Sequence, residues 1–265
     1  MPTVARPDVL KATYDAVSVL IRTREIPTRL LYAEQTIFRS FPARFLPKPA
    51  PGGHASKAKA ASALAPFDGA TERHNRFSGP SYNVSIPAAG GLYCVLQQQA
   101  LVNEVIFYGR KAGLPKTMAV GQTIAGAALA DKVVVKIVLM GQMLVADLSS
   151  HNPGAVHFFR KIEQSPGYLD LLARTQYSSK VSLWDRMVDG DDCSVARGVG
   201  LAVANSHLQG LSVQTVRKSG RAADERGDNL VLFGQEGHAV PGLYVDEASY
   251  FDSAAGIETF PVAFP

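Results

Sequence analysis

The chain has 265 residues, 46% of them hydrophobic and 19% charged, which suits one large domain with a substantial buried core. Its 27 Lys and Arg against 23 Asp and Glu leave a net charge of +4, scattered along the chain, and this argues against a nucleic-acid-binding protein. The longest apolar runs, such as "VVVKIVLM" from Val133 to Met140, fall far short of the roughly 20 residues of a membrane-spanning helix. Cys94 and Cys193 are too few and too far apart for a disulfide framework or a zinc cluster, and Asp8, Lys11 and Asp15 interrupt any secretory signal. Cytoplasmic synthesis is the expectation.

Leu10, Tyr14, Val17 and Ile21 recur at helical spacing, predicting an amphipathic helix that opens near Pro7 and Asp8. A strand is expected within "RLLYAEQTIFRSF" (29–41), and the prolines at 42, 47, 49 and 51 then stop it. Residues 46–70, dense in Pro, Gly, Ala, Ser and Lys, read as a long loop, and "KPAPGGHASKAKA" within it as solvated and basic. "GGLYCVL" (90–96) is a strand signal, followed by a helix over Gln97–Tyr108. "DKVVVKIVLMGQMLVADLS" (131–149) is too β-branched for a helix, and Gly141 with Gln142 predicts a hairpin turn or a bulge between two strands. Helices are expected over about 154–163, 167–175 and 191–209, the acidic "DGDD" (189–192) suiting the last helix's N-terminus. "LSVQTVR" and "NLVLF" add two strands. Strands and helices mix without βαβ alternation, so the fold class is α+β.

There is no Walker loop, no pair of histidines at metal-ligand spacing and no Gly-x-Ser-x-Gly elbow. The six histidines are dispersed, and "DGDD" lacks the downstream glutamate of a calcium loop. "GVGLAV" (198–203) lies inside a helical pattern, where its glycines point to close helix packing rather than to a dinucleotide fingerprint. Glu104 stands apart. Leu101, Val105 and Tyr108 form a buried stripe with Glu104 inside it, and a carboxylate there costs several kcal/mol unless it sits in a salt bridge or a polar cavity.

From Arg76 to Glu104 the chain resembles the RES-domain toxins, which are encoded beside Xre-type antitoxins. The resemblance rests on "RFSG" (76–79), "LYC" (92–94) and "ALVNEV" (100–105), with Phe38 and Arg39 of "IFR" before them and Gly210, "LSVQTVR" and "NLVLF" after. The helix "ARGVGLAVANSHLQG" is also similar. Thr215 stands where the family has serine, "RFSG" is shorter than the family's loop, and residues 46–72 are a long insertion. The resemblance covers about 30–235, leaving 1–29 as a helical extension and 236–265 as a C-terminal tail.

The resemblance implies an ADP-ribosyltransferase-like core of two small, mostly antiparallel sheets clasping a cleft, with flanking helices. It also implies NAD as substrate rather than as a prosthetic group, and a neutralising antitoxin or immunity protein as partner. Glu104 would stabilise the cationic ribose of the transition state, and Arg39 and Arg76 would hold the pyrophosphate, with Arg73 a rival to Arg76. Tyr93 would stack on a ring of the dinucleotide, and Thr215 would donate a hydrogen bond to ribose or phosphate. Transfer of ADP-ribose to a macromolecule, and a binding module without activity, are the alternatives.

Overall fold

A computed structural model describes residues 6–66, 77–79, 85–98, 100–101, 129–149, 152–174, 182–189, 193–214, 228–235, 237–252 and 256–262. Among these, nine strands form one mixed sheet in the order β1-β5-β6-β7-β3-β2-β4-β8-β9. They are β1 (Thr28–Leu31), β2 (Thr36–Pro42), β3 (Gly90–Val95), β4 (Lys132–Leu139), β5 (Met143–Leu148), β6 (Gly210–Gln214), β7 (Asp228–Gly234), β8 (Leu243–Asp252) and β9 (Gly256–Pro261). Six α-helices accompany them: α1 (Pro7–Arg22), α2 (Lys57–Ser62), α3 (Pro153–Glu163), α4 (Pro166–Arg174), α5 (Leu183–Asp189) and α6 (Ser194–Ala204). The α+β class holds. Among the described strand pairs, only β5–β6 is parallel.

The expected two small sheets are joined into one, because β2 pairs with β4 on one side and touches β3 on the other. That junction is thin, a single register pair between Phe38 and Val95. It acts as a seam between β1-β5-β6-β7-β3 and β2-β4-β8-β9.

Two strands do occupy 131–149, but they are not a hairpin. β5 pairs with β1 and β4 with β2, and the two antiparallel pairs keep one register: Leu31 faces Met143, and after four residues on each chain Thr36 faces Val138. The intervening bend is tied by Glu34 N donating to Leu139 O (2.8 Å) and Leu139 N donating to Gln35 O (3.1 Å). Residues 28–42 and 132–148 are therefore one bent ribbon whose ends belong to opposite halves of the sheet. Arg29 on β1 reaches Asp228 on β7 (3.1 Å) across β5 and β6, which requires that half to curl.

Alternation along the strands separates two cores. Leu92, Cys94, Ile37, Phe41, Val135 and Leu230 pack on one face, under α2 and residues 46–64. On the other face Val231, Leu211 and Ala146 pack against α1, α3, α4, α5 and α6. A smaller cluster continues that second face past the seam, where Val95 and Val134 meet Phe38, Ala100 and Leu101.

The helix predicted near Pro7 is α1, burying Leu10, Val17 and Ile21 as its periodicity requires, with Tyr14 half-buried. The glycines of "GVGLAV" serve close packing: a Cβ at Gly198 would lie 2.8 Å from Leu10 O and from Thr13 Cβ on α1. Helix α5 was not expected, and α6 ends at Ala204 rather than 209. Within 236–265, expected as a tail, β8 runs seven register positions along β4 and carries β9 on its outer edge. Among the described residues no helix is long and apolar enough to cross a membrane.

Candidate functional site

Among the described residues, Phe77–Gly79, "LYC" and "ARGVG" from the segments that carry the resemblance meet at strand β3. Tyr93 leaves the face covered by helices, and its phenol oxygen accepts a hydrogen bond from Phe77 N at 2.9 Å. The Ser78 side chain lies close enough to the same phenol to favour its ionised form. The loop that contains them closes with Gly79 N donating to Ala89 O (2.9 Å), and Gly79 adopts φ 118°, which favours glycine. Phe77 and Ser78 are buried, at 6% and 1% exposure.

Two glycines make this docking feasible. A Cβ at Gly91 would lie 2.9 Å from Ser78 Oγ, so β3 presents bare backbone to the loop. At Gly200 of α6 a Cβ would stand 1.9 Å from the Phe77 carbonyl oxygen, so the helix presses on the loop from above. One turn before Gly200, on the same side of α6, lies Arg197, only 6% exposed. Burial pushes the Tyr93 phenol up to about 12, against the pull of the Ser78 side chain, the Phe77 N–H and the Arg197 charge. Tyr93 is therefore a neutral phenol at physiological pH, able to donate and to accept.

Arg39 lies elsewhere. Strand β2 alternates, so Arg39 shares its face with Ile37 and Phe41, opposite to that of Tyr93. Its guanidinium donates to Ala63 O and, at 3.0 Å, to Ala65 O, closing the turn after α2. Burial holds its pKa below the ordinary arginine value. The same burial pushes the neighbouring Cys94 thiol up to about 12, with Arg39 pulling weakly the other way. Arg39 and Tyr93, both expected at the site, thus lie on opposite faces of the sheet.

Glu104, Arg76 and its rival Arg73, and Thr215 lie outside the described residues. The neighbours on the page are Ala100 and Leu101, buried against Val95 and Val134, then Phe77 beside Arg76, and Gln214 at the end of β6. Arg197 and Ser78 were not singled out from sequence. Arg197 carried the same signal as Glu104, a charge within an apolar helical pattern. Among the described residues no cluster of His, Cys, Asp and Glu is arranged to hold a metal ion.

The fold as a whole is similar to a chain in the crystal structure of the M. tuberculosis MbcT–MbcA toxin–antitoxin complex, with a TM-score of 0.51 and 18% identity over 92% of this chain and 94% of that one. At that identity the likeness is one of fold. No protein-family profile matches the chain, and no curated protein does.

Proposed function

We propose that this protein is a toxin that degrades NAD by cleaving the bond between nicotinamide and ribose, in an ADP-ribosyltransferase-like site. The observation that carries the reading is convergence: Phe77–Gly79, "LYC" and "ARGVG", far apart in sequence, meet around the Tyr93 phenol. The fold likeness to a chain of a toxin–antitoxin complex supports it independently.

Cleavage leaves positive charge on the ribose while nicotinamide departs as a neutral molecule, so the transition state calls for a fixed carboxylate. Glu104 has that role, by direct stabilisation or through a ribose hydroxyl. Arg76, next to the docked Phe77, holds the pyrophosphate, whose oxygens suit a planar guanidinium. Arg39 is assigned instead to the turn at 63–65. Tyr93 offers a ring face and a neutral hydroxyl, and Thr215 supplies a hydrogen bond. A neutralising protein that covers the site protects the producing cell.

The test is nicotinamide release from NAD by wild type and Glu104→Gln side by side. Release by wild type and a loss of about 10²- to 10³-fold in the variant are expected. Wild type that leaves NAD intact overturns the reading. Label from NAD appearing on protein in cell extract would replace hydrolysis or phosphorolysis with ADP-ribosyl transfer.

A further inference from the structure

Helices α1 and α6 run side by side in the same direction: Arg6 N donates to Ser194 Oγ at their starts, and Gly198 meets Leu10 and Thr13 midway. Beyond that contact their C-terminal ends border a cavity of about 480 Å³, within the roughly 300–1,000 Å³ of small-molecule sites. Tyr14, Ser18 and Arg22, spaced four apart on one ridge of α1, line it together with Arg24 and, just after α6, Ser206 and His207. Among the described residues no Asp or Glu lines it. The side chains of Arg22, Arg24 and His207 make no ion pair or hydrogen bond among the described residues. The carboxylates nearest to the two arginines along the chain, Asp15 and Glu25, are already bound to Lys11 and Lys161.

Cations near a helix C-terminus ordinarily serve its exposed carbonyls. Here those carbonyls are largely taken: Val19, Leu20 and Ile21 accept from Thr23 N, Glu25 N and Arg24 N, and Leu201 and Val203 from Asn205 N and Ser206 N. Arg24 also holds φ 59°, the left-handed conformation that closes α1 and that glycine adopts at least cost. An arginine kept where glycine fits better has a use for its charge. We infer that this cavity binds a small molecule through a phosphate monoester, held by Arg22 and Arg24. A monoester carries about −1.5 to −2 charges at neutral pH, and the planar forks of two guanidiniums suit its oxygens. A carboxylate, with a single charge, would leave the cations unanswered. The hydroxyls of Tyr14 and Ser18, which make no hydrogen bond among the described residues, add donors. The cavity shares no described lining residue with the loop, strand and helix positions around Tyr93, so this inference stands apart from the NAD-cleaving reading.

The experiment is calorimetric titration of the intact protein with phenyl phosphate and with benzoate, for wild type, Arg24→Gly, Arg22→Gln and Glu104→Gln, beside their melting temperatures. Wild type should bind phenyl phosphate at least about tenfold more tightly than benzoate. Arg24→Gly and Arg22→Gln should each weaken that binding about tenfold or more, and Arg24→Gly should melt at the same or a higher temperature, since glycine accepts the left-handed backbone. Glu104→Gln should bind as wild type does. Wild type that does not bind phenyl phosphate, benzoate that binds as tightly, or unchanged affinity in Arg24→Gly overturns the inference, whatever wild type does to NAD. Loss of binding in Glu104→Gln would move the phenyl phosphate to the Tyr93 side and overturns it as well.

Discussion

The two faces of strand β3 use the same device for different ends. Gly90 and Gly91, consecutive and lacking side chains, each admit a segment to one face: a Cβ at Gly90 would lie 2.8 Å from Pro66, and a Cβ at Gly91 would lie 2.9 Å from Ser78. On the Pro66 side, Arg39 donates to the main-chain carbonyls that close the turn after α2, and Cys94 stays an uncharged thiol. On the Ser78 side, a neutral phenol and a buried guanidinium are gathered at the loop that α6 presses on. One face is a fastening and the other carries the proposed site, and the distinction is made by which residues alternate onto each.

The largest test of this contrast is alkaline titration. Tyr93 and Cys94 ionise near 12 in the folded chain, against 10.0 and 9.0 for the free groups. Both pKa values are raised, so the stability they contribute is complete below pH 9 and drains away between about 9 and 12, at up to about 1.4 kcal/mol per pH unit for each group. Denaturant melts across that range should show the loss. Tyr93→Phe should remove its part between about 10 and 12, and Cys94→Ala should remove the part that begins near 9.

Next comes Gly200→Ala, which drives a methyl into the Phe77 backbone and should cost about 3 kcal/mol, along with most NAD cleavage. Gly198→Ala, where the obstruction is 2.8 Å away rather than 1.9 Å, should cost less, and urea melts rank the two. Arg39→Leu leaves two carbonyls without a charged donor and should lower stability by about 2 kcal/mol. The folded fraction should keep its kcat for NAD. A specific loss of kcat there would put Arg39 back in the site. Tyr93→Phe should cost only about 1 kcal/mol, through the orphaned Phe77 N–H, yet lower NAD turnover about tenfold or more. The smallest effect should be at Lys11, whose exposed pair with Asp15 on α1 is worth under about 0.5 kcal/mol.

Much of this architecture was legible from periodicity. Leu10, Val17 and Ile21 declared α1, and the β-branched run at 131–149 declared two strands. Strand partners were not legible, since nothing local says that β5 lies beside β1 and β6 while β4 lies beside β2 and β8. Strand β8 was passed over because Asp246, Glu247 and Asp252 obscure its pattern, and a register shift opposite Lys136/Ile137 breaks its alternation. At the site, Tyr93 and the loop at 77–79 came from the resemblance. The side of the sheet taken by Arg39 was readable all along, because "TIFRSFP" places it with Ile37 and Phe41 at period two. Arg197 was missed because the glycines around it drew attention to packing alone.

The bent ribbon also dictates when the molecule can exist. Thr28 finds its partner only at Ala146, and β3 gains its full neighbour only with β7 at residues 228–234. Contacts so distant along the chain close slowly, and on a ribosome they cannot close before the later segment has emerged. A nascent chain that has not yet reached residue 234 therefore lacks the strand that supports β3 beneath Tyr93, and the proposed site can assemble only after β7 has emerged.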